Sequence, residues 1–455
     1  MPSNPLFLSG VIEGFYGPLW TRTQRLELFD SMQRWGLNTY VYGPKDDLHH
    51  RLLWRETYPD AEAADLGELI TECQARGIQF LYALGPGLDI RYGSSIDCAA
   101  LEARLSQLMD LGCRTLCLLF DDIPDTLHSE DAARWDSLAA AQCSLTNHLL
   151  QTLNQRGPLR LLFCPTPYCH RMVQAEHGGK GYLEIVGRQL HPSIDVFWTG
   201  PEIISEEITV EQIQALTQIL QRKPILWDNL YANDYDGRRV FFGPYAGRSP
   251  ELRSQVAGVL CNPNTEFPVN YAPLHTFASW LRSTPQNWEP RLAYLDALRD
   301  WLPRLASAGK SITPVDLVLF CDSFYLPYSQ GPTAARFYDS IATLLSNDPS
   351  TWTEDKINSF LSEAQRLRNF CVQISEVEDR TLFAALSRRV WELREELELL
   401  IRYVQFQANP LHRGSRFRSD FHQPKVYRGG FVPALQGLLR LEADGSFTPI
   451  PTSEV

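Results

Sequence analysis

The fold is indicated first by the stretch Arg114-Thr115-Leu116-Cys117-Leu118-Leu119-Phe120, which is followed at once by Asp121-Asp122. An apolar run of this length is typical of a strand that is buried on both faces of a parallel sheet. Two adjacent carboxylates repel each other and add nothing to strand formation, so their position indicates chemistry. A simple turn remains the alternative, because Asp-Asp-Ile-Pro is also a common turn sequence.

Seven similar runs occur within the first 280 residues, and most are separated by helix-like segments such as 21–35, 61–76, 130–155 and 210–221. These seven runs are predicted strands at 7–12, 38–42, 78–84, 160–164, 195–198, 224–227 and 257–261, and the run at 113–120 is the eighth. Eight βα units predict an α/β fold of the (β/α)₈ TIM-barrel type. A doubly wound open sheet is the alternative, but no Gly-x-Gly-x-x-Gly follows the first strand.

The residues that follow these strands are polar or rich in Gly and Pro. In a (β/α)₈ barrel the carboxyl ends of all strands surround one mouth, so the strand endings converge on one site. We therefore expect the acidic pair to face Tyr168, Asn229, Asp234 and Asn262.

The character of the chain changes after the predicted barrel. We predict a barrel domain at 1–285 and a smaller helical domain at 286–455 with an irregular tail, in which a helix near 432–439 is the one element indicated. Segment 391–404 is strongly amphipathic. Packing in the core of its own domain is favoured for it, and helix exchange in a homodimer is the second interpretation.

Charge and composition limit the function. The 455 residues have a formal net charge of −12 and a pI of about 5.4, which argues against nucleic acid and anionic membranes as partners. The apolar runs are shorter than a membrane span, and no leader-like segment precedes Leu6-Phe7-Leu8. A neutral or weakly charged ligand suits the chain better.

The ten cysteines suggest reduced thiols, because Cys113, Cys117, Cys164 and Cys261 all lie in apolar runs. There is no Cys-x-x-Cys pair and no His-Glu-x-x-His motif. These features favour a cytoplasmic protein without structural metal.

Polar endings interleaved with aromatic residues suggest a sugar as ligand. The aromatic candidates are Phe15, Tyr16, Tyr168, Trp198, Trp227 and Tyr235. Most glycosidases use two carboxyl groups on opposite sides of the anomeric carbon, which adjacent residues cannot easily supply. Adjacent carboxylates suit a reaction in which the 2-acetamido oxygen of the sugar attacks C1 itself. Because like charges oppose double ionisation, one Asp of the pair is expected to keep its proton to higher pH.

The strand endings together resemble glycoside hydrolase family 84, the O-GlcNAcase family, over about residues 7–285. The matching motifs are Gly14-Phe15-Tyr16-Gly17, Pro44-Lys45-Asp46-Asp47, Phe120-Asp121-Asp122, Cys164-Pro165-Thr166-Pro167-Tyr168, Trp227-Asp228-Asn229, Ala232-Asn233-Asp234-Tyr235-Asp236, Gly243-Pro244-Tyr245 and Asn262-Pro263-Asn264. Segment 324–328 is similar to part of the helical stalk domain of animal members.

The resemblance implies two catalytic residues. Asp121 would orient and polarise the acetamido group, and Asp122 would be the general acid and then the base. Tyr168 and Asn229 would support the acetamido group, and Trp227 would help to wall the pocket for its methyl.

The resemblance also implies residues that hold the sugar hydroxyls, namely Gly14 through its backbone, Lys45, Asp234 and Asn262. Tyr16 and Tyr235 would be aromatic residues of the site. In one respect the chain departs from the animal members, because Gly17-Pro18-Leu19-Trp20 lacks their Arg. This difference concerns only the outer contacts of the turn, because Gly14 is retained.

Several of these residues also have structural interpretations. Gly14 would permit a tight turn, Trp227 would be barrel core, and Lys45 would pair with its acidic neighbours in sequence. Asn229 and Asn262 would cap loops. Asp234 lies in an Asn-Asp-Tyr-Asp segment, but the other ligands of a calcium loop are missing.

The leading functional hypothesis is a retaining exo-β-N-acetylglucosaminidase that removes O-linked GlcNAc from Ser or Thr of proteins. A hexosaminidase for free glycans, such as chitin or hyaluronan fragments, is the second. A metal-dependent hydrolase with Asp121, Asp122 and Asp234 as ligands is a third, and a non-catalytic GlcNAc-binding protein a fourth. Substrate-assisted catalysis requires no cofactor.

Overall fold

The computed structural model describes residues 6–306, 312–419 and 430–450. Eight parallel strands form a closed barrel in sequence order, and the last strand pairs with the first. The predicted (β/α)₈ barrel is therefore confirmed, and every predicted strand lies within two residues of an observed one. The strands are β1 Leu8–Glu13, β2 Thr39–Tyr42, β3 Gln79–Leu84, β4 Thr115–Leu119, β5 Arg160–Cys164, β6 Asp195–Trp198, β7 Ile225–Asp228 and β8 Gly258–Cys261.

The barrel interior is filled by alternate residues of the strands. Cys117 and Leu119 of β4 stand beside Leu162 and Cys164 of β5 in the parallel register, and all four belong to one buried cluster. Side chains at such positions contribute about 25 cal/mol for each Å² of apolar surface that folding removes from water. The other members of the cluster are Leu8, Ile12, Val41, Leu81, Ala83, Phe197, Ile225, Trp227 and Leu260.

Helices connect the strands of the barrel. The first of them begins with a capping box, in which Thr21 and Gln24 satisfy each other's backbone N–H groups. The helices are α1 Arg22–Trp35, α2 Leu48–Arg51, α3 Asp60–Ala75, α4 Ser95–Asp110, α5 Ser129–Ala132, α6 Leu138–Asn154, α7 His170–Gln174, α8 Tyr182–Gln189 and α9 Val210–Leu220, with a 3₁₀ helix at Pro250–Ser254.

The helix-like segment predicted at 130–155 is wrong as a single helix, because it is divided into α5 and α6. The Asp131 carboxylate accepts hydrogen bonds from the backbone N–H groups of Tyr92 and Gly93 at 2.9 and 2.8 Å. The chain then restarts as a helix at Ser137, whose hydroxyl accepts from the N–H of Ala140. Tertiary contacts of the first turn thus override a continuous helical pattern.

Contacts divide the chain into two compact units. The barrel unit contains the described residues of Met1–Asp234, Tyr245–Thr265 and Phe277–Trp288, and the second unit those of Tyr235–Pro244, Glu266–Thr276 and Glu289–Val455. The sequence-based boundary between residues 285 and 286 stays a prediction. The later helices are α10 Tyr271–Arg282, α11 Pro290–Trp301, α12 Pro314–Ser323, α13 Pro332–Leu345, α14 Glu354–Ile374, α15 Arg380–Ala408 and α16 Phe431–Gln436, with 3₁₀ turns at Phe267–Val269, Leu302–Leu305 and Pro349–Thr351.

The tail of the second unit is more regular than predicted. The helix expected near 432–439 is present as α16 but ends at Gln436, and a strand begins at Leu439. Three short antiparallel strands, β9 Phe417–Arg418, β10 Leu439–Leu441 and β11 Ser446–Pro449, form a sheet in the order β10-β11-β9. The rest of the predicted tail, 420–429 and 451–455, lies outside the described residues.

The amphipathic segment 391–404 lies within α15. Leu393, Leu397, Leu400 and Val404 are all buried in the apolar core of the second unit. Packing in its own core, the interpretation favoured from the sequence, is therefore confirmed.

All ten cysteines are free thiols, and Cys113, Cys117, Cys164 and Cys261 are buried as predicted. Among the helices within the described ranges, none combines the length and the apolar character needed to cross a lipid bilayer.

Candidate active site

The acidic pair follows the carboxyl end of β4, and its two members have different surroundings. The Asp121 side chain is 17% exposed, and its Oδ2 lies 3.8 Å from the Lys45 Nζ, which follows β2. Burial raises the pKa of Asp121, the Lys45 ammonium opposes the rise, and the neighbouring Asp122 charge adds to it. The raised pKa thus follows mainly from burial and only in part from the adjacency of the two carboxyl groups, and it belongs to the Asp that the resemblance does not assign as the general acid.

Asp122 is exposed and is held by two phenols. Tyr16 Oη donates to Asp122 Oδ2 at 3.1 Å, and Tyr168 Oη donates to Asp122 Oδ1 at 3.3 Å. Burial and the Asp122 charge raise the pKa of Tyr16 to about 12, and the same two causes raise the pKa of Tyr168. Both phenols therefore keep their protons near neutral pH and can donate to the carboxylate.

The backbone of Asp122 has a φ of 48°, in the left-handed region. A residue with a Cβ pays about 1–2 kcal/mol for this conformation, although Asp tolerates it better than most residues. Strained backbone of this kind is concentrated at functional sites.

The sequence interpretation missed Arg51, the last residue of α2. Its Nη1 donates to Tyr16 Oη at 2.5 Å, and its Nη2 donates to the backbone carbonyl of Asp122. One feature of the sequence could have indicated Arg51: it follows the strand ending Pro44-Lys45-Asp46-Asp47, which was already assigned to the site, by four residues.

A second hydrogen-bonded group lies at the ends of β7 and β8. Asn229 Oδ1 accepts from Trp227 Nε1 at 3.0 Å and from Asn262 Nδ2 at 2.9 Å, while Asn229 Nδ2 donates to the Ile203 carbonyl at 2.8 Å. These partners fix the orientation of both amides. Asn262 Oδ1 is buried without a hydrogen-bond partner. A buried acceptor of this kind is costly, and a ligand hydroxyl would satisfy it.

Gly14 and Asp234 connect the turn after β1 to the rest of the site. A Cβ on Gly14 would lie 2.9 Å from Cζ2 of the Trp227 ring, so only glycine lets the backbone approach the indole this closely. Asp234 Oδ2 accepts from the backbone N–H of Tyr16 at 2.9 Å, which anchors the phenol beside Asp122.

Two other strand-end carboxylates serve the fold. Glu13 receives two hydrogen bonds from Arg25 at 2.9 and 2.7 Å, and Asp228 receives two from Arg248 at 2.8 and 2.7 Å. Both carboxylates are fully buried. Removing one partner of such a pair typically costs about 3–5 kcal/mol, since the other charge is left uncompensated. Among the described residues, by contrast, no arginine side chain is hydrogen-bonded to the carboxyl oxygens of Asp121 or Asp122.

The structure also bears on the alternative interpretations. Lys45 lies beside Asp121, whereas Asp47 accepts hydrogen bonds from the hydroxyls of Tyr42 and Tyr58. Phe15, expected as an aromatic face, is buried against Trp20 with a ring-centroid distance of 5.3 Å. The Phe15 ring is therefore part of the apolar core and does not face the site, so the expectation that it supplies a face for the ligand is wrong.

Tyr235 belongs to the second unit, and the residue is 42% exposed. Trp227 also belongs to the barrel core, so its structural and site interpretations both apply.

The ligand atoms of Asp121, Asp122 and Asp234 do not form a cluster close enough to hold a metal ion. Within the described part of the chain, one group of three has that spacing, Cys98, Glu102 and His148 on α4 and α6. The predicted metal-hydrolase alternative therefore lacks its ligand set.

Comparisons with known proteins identify the family to which the chain belongs. The profile of the beta-N-acetylglucosaminidase (NAGidase) family matches residues 9–312. The chain is 47% identical to Protein O-GlcNAcase of Rattus norvegicus over 277 residues, which is 61% of this chain and 30% of the relative. The values for Protein O-GlcNAcase of Mus musculus are the same. The chain thus spans about a third of the length of these relatives.

Among solved structures, a mutant of the Thermobaculum terrenum O-GlcNAc hydrolase superposes with a TM-score of 0.74 at 30% identity. The superposition covers 88% of this chain and 82% of that one. Sequence profile, relatives and fold agree, and the chain belongs to the beta-N-acetylglucosaminidase family, glycoside hydrolase family 84.

Proposed function

We propose that the protein is a retaining exo-β-N-acetylglucosaminidase that removes O-linked GlcNAc from Ser or Thr of proteins by substrate-assisted catalysis. The observation that carries the proposal is the environment of the acidic pair. Asp121 is largely buried beside Lys45, and Asp122 is exposed between two phenols. Two carboxyl groups with different surroundings are suited to two different tasks.

In the first step, the acetamido oxygen of the sugar attacks C1, and the bond from C1 to the leaving oxygen breaks. Asp122 donates its proton to that oxygen. Positive charge develops on the acetamido group, and Asp121 accepts a hydrogen bond from its N–H and stabilises the charge. The product of this step is an oxazoline that keeps its N–H, that is, an oxazolinium ion whose charge the Asp121 carboxylate stabilises.

In the second step, Asp122 takes a proton from a water molecule that attacks C1. The oxazoline opens, and the new C1–O bond has the β configuration of the substrate. No enzyme nucleophile is needed. Glu13 and Asp228, which also end barrel strands, are held by arginines and are poor candidates for one.

We assign the remaining residues to binding. Tyr168 and Asn229 support the acetamido group, and Trp227 forms a wall for its methyl. Gly14 through its backbone, Lys45, Asp234 and Asn262 hold the sugar hydroxyls. The buried Asn262 Oδ1 without a partner supports this assignment, because a sugar hydroxyl can donate to it.

A hexosaminidase for free glycans is the second candidate, since the same chemistry cleaves any β-linked 2-acetamido sugar. The relatives named Protein O-GlcNAcase, at 47% identity, favour the glycoprotein substrate.

Purified protein should release GlcNAc from a GlcNAc-Ser peptide with a kcat/KM at least about tenfold above that for chitobiose, a difference of about 1.4 kcal/mol in transition-state binding. A preference for chitobiose would reverse the order of the two candidates. No turnover of either, with binding of GlcNAc, would support the non-catalytic protein.

The proposal includes a cytoplasmic location and O-GlcNAc-modified proteins as partners. Ten free thiols are consistent with a reducing compartment, and the net charge of −12 disfavours nucleic acid as a partner. A homodimer through α15 also stays a prediction. Trp391, which is 54% exposed on that helix, is the side chain that favours it.

A further inference from the structure

We propose that Arg51 is a positioning residue for Asp122, and this inference rests on the proposed role of Asp122 as the general acid. Arg51 holds two groups at once. Nη1 donates to the Tyr16 hydroxyl, and Nη2 donates to the backbone carbonyl of Asp122. A planar guanidinium presents its donors in a rigid fork, so it fixes the two oxygens relative to each other.

The two contacts act on the same carboxyl group. Tyr16, whose oxygen accepts from Arg51, donates its own proton to Asp122 Oδ2 at 3.1 Å. The carbonyl that Arg51 binds belongs to the residue with a φ of 48°. Arg51 therefore stabilises the unusual backbone of Asp122 directly and the direction of its carboxyl through the phenol.

Arg51 is itself held firmly. It ends α2, whose first turn is capped by Asp47, and Asp47 also accepts hydrogen bonds from two buried tyrosines. The neighbouring His50 is fully buried, with Nδ1 2.8 Å from the Ala83 carbonyl oxygen. Among the described residues, no carboxylate lies within ion-pair distance of Arg51. Its charge is therefore not engaged in a surface ion pair.

This arrangement predicts a defect that depends on the leaving group. Proton donation matters most when the leaving oxygen is a poor one, such as the Ser alkoxide of a glycopeptide, and least for a dinitrophenyl group. In Arg51→Met, kcat/KM for the glycopeptide should fall by about 10–100-fold, because small misplacement of a catalytic group has effects of this size. The kcat/KM for the dinitrophenyl glycoside reports only the first step, which needs no proton from Asp122, and it should change by less than about threefold. The KM for the glycopeptide should also change by less than about threefold.

Arg55→Met is the matched control. Arg55 lies four residues further along the chain and pairs with Asp89 and Asp97, so its loss removes a structural arginine without touching Asp122. The ratio of the two kcat/KM values, glycopeptide to dinitrophenyl glycoside, should stay at the wild-type value in this variant. Tyr16→Phe keeps the aromatic ring and removes its hydroxyl group. It should lower the ratio of the two kcat/KM values, as Arg51→Met does.

The inference would be overturned if Arg51→Met lowered kcat/KM equally for the glycopeptide and the dinitrophenyl glycoside, or if it lowered neither. If that variant does not fold, by circular dichroism, the Tyr16→Phe ratio decides, and an unchanged ratio overturns it. Failure of the proposed function would be seen separately. Wild-type protein would then hydrolyse neither substrate, or Asp122→Asn would lower kcat/KM equally for both.

Discussion

Replacing Asp121 by Asn is expected to lower kcat/KM for every β-N-acetylglucosaminide by about 10²–10³-fold, whatever the leaving group. The substitution keeps the size of the side chain and removes its charge. That charge, beside Lys45 and largely shielded from water, is what stabilises the positive charge that develops on the acetamido group. Since both the formation and the opening of the oxazoline involve this charge, a better leaving group cannot compensate for its loss.

Asp125→Asn is the control for this substitution. Asp125 lies in the same loop after β4, and its half-exposed carboxylate pairs with His177 at 3.6 Å. The control should retain nearly wild-type rates on both a glycopeptide and an aryl glycoside. Rates measured with the two substrates would contradict the role of Asp121 if Asp121→Asn were slow on only one of them.

Asp122→Asn should show the opposite pattern. With a glycopeptide, kcat/KM should fall by about 10²–10⁴-fold, which is the usual contribution of a general acid. With a dinitrophenyl glycoside the first step needs no proton, so it should proceed at a rate much closer to wild type. The second step, which needs the base, should then limit turnover and produce a burst of dinitrophenol.

The burst is measured by rapid mixing, at enzyme concentrations that make one equivalent of product visible. Tyr168→Phe provides a comparison within the site, because it removes one hydrogen bond to Asp122 and leaves the carboxyl in place. Tyr168→Phe should also lower kcat/KM for the glycopeptide, but by a smaller factor than Asp122→Asn does. A uniform loss on both substrates in Asp122→Asn would assign Asp122 a role other than proton transfer.

Much of the barrel could be predicted because of how parallel strands are buried. Strands that are covered on both faces are continuous apolar runs, and their ends coincide with abrupt changes to Gly, Pro, Asp or Asn. The run at 113–120 is of this kind and contains β4. Strands β9 and β10 have two and three residues, and such lengths carry no recognisable period.

The members of the candidate site could be named for a topological reason. In a closed parallel barrel, residues that follow different strands meet at one end regardless of their distance in sequence. Tyr16 and Asp122 are 106 residues apart in sequence, yet their side chains are hydrogen-bonded. What topology cannot provide is the pairing of side chains, such as that of Lys45 with Asp121.

Arg51 could not be found in this way. An arginine in the last turn of a short helix is ordinarily a solvated side chain. Only the folded chain shows that the two contacts of Arg51 are 35 and 71 residues away in sequence. The raised pKa of Asp121 likewise depends on its burial, which the sequence does not reveal. Adjacency of the two carboxyl groups indicated repulsion but not which of them would be shielded.

The central claim is that the acetamido oxygen of the substrate is the nucleophile. It is tested most directly by comparing wild-type kcat/KM for two aryl glycosides that differ only in an N-acetyl or an N-trifluoroacetyl group. Fluorine withdraws electrons from the attacking oxygen, so we expect the trifluoroacetyl substrate to react at least about 10²-fold more slowly, a difference of about 2.7 kcal/mol in activation free energy. Equal rates for the two substrates would contradict participation of the acetamido group.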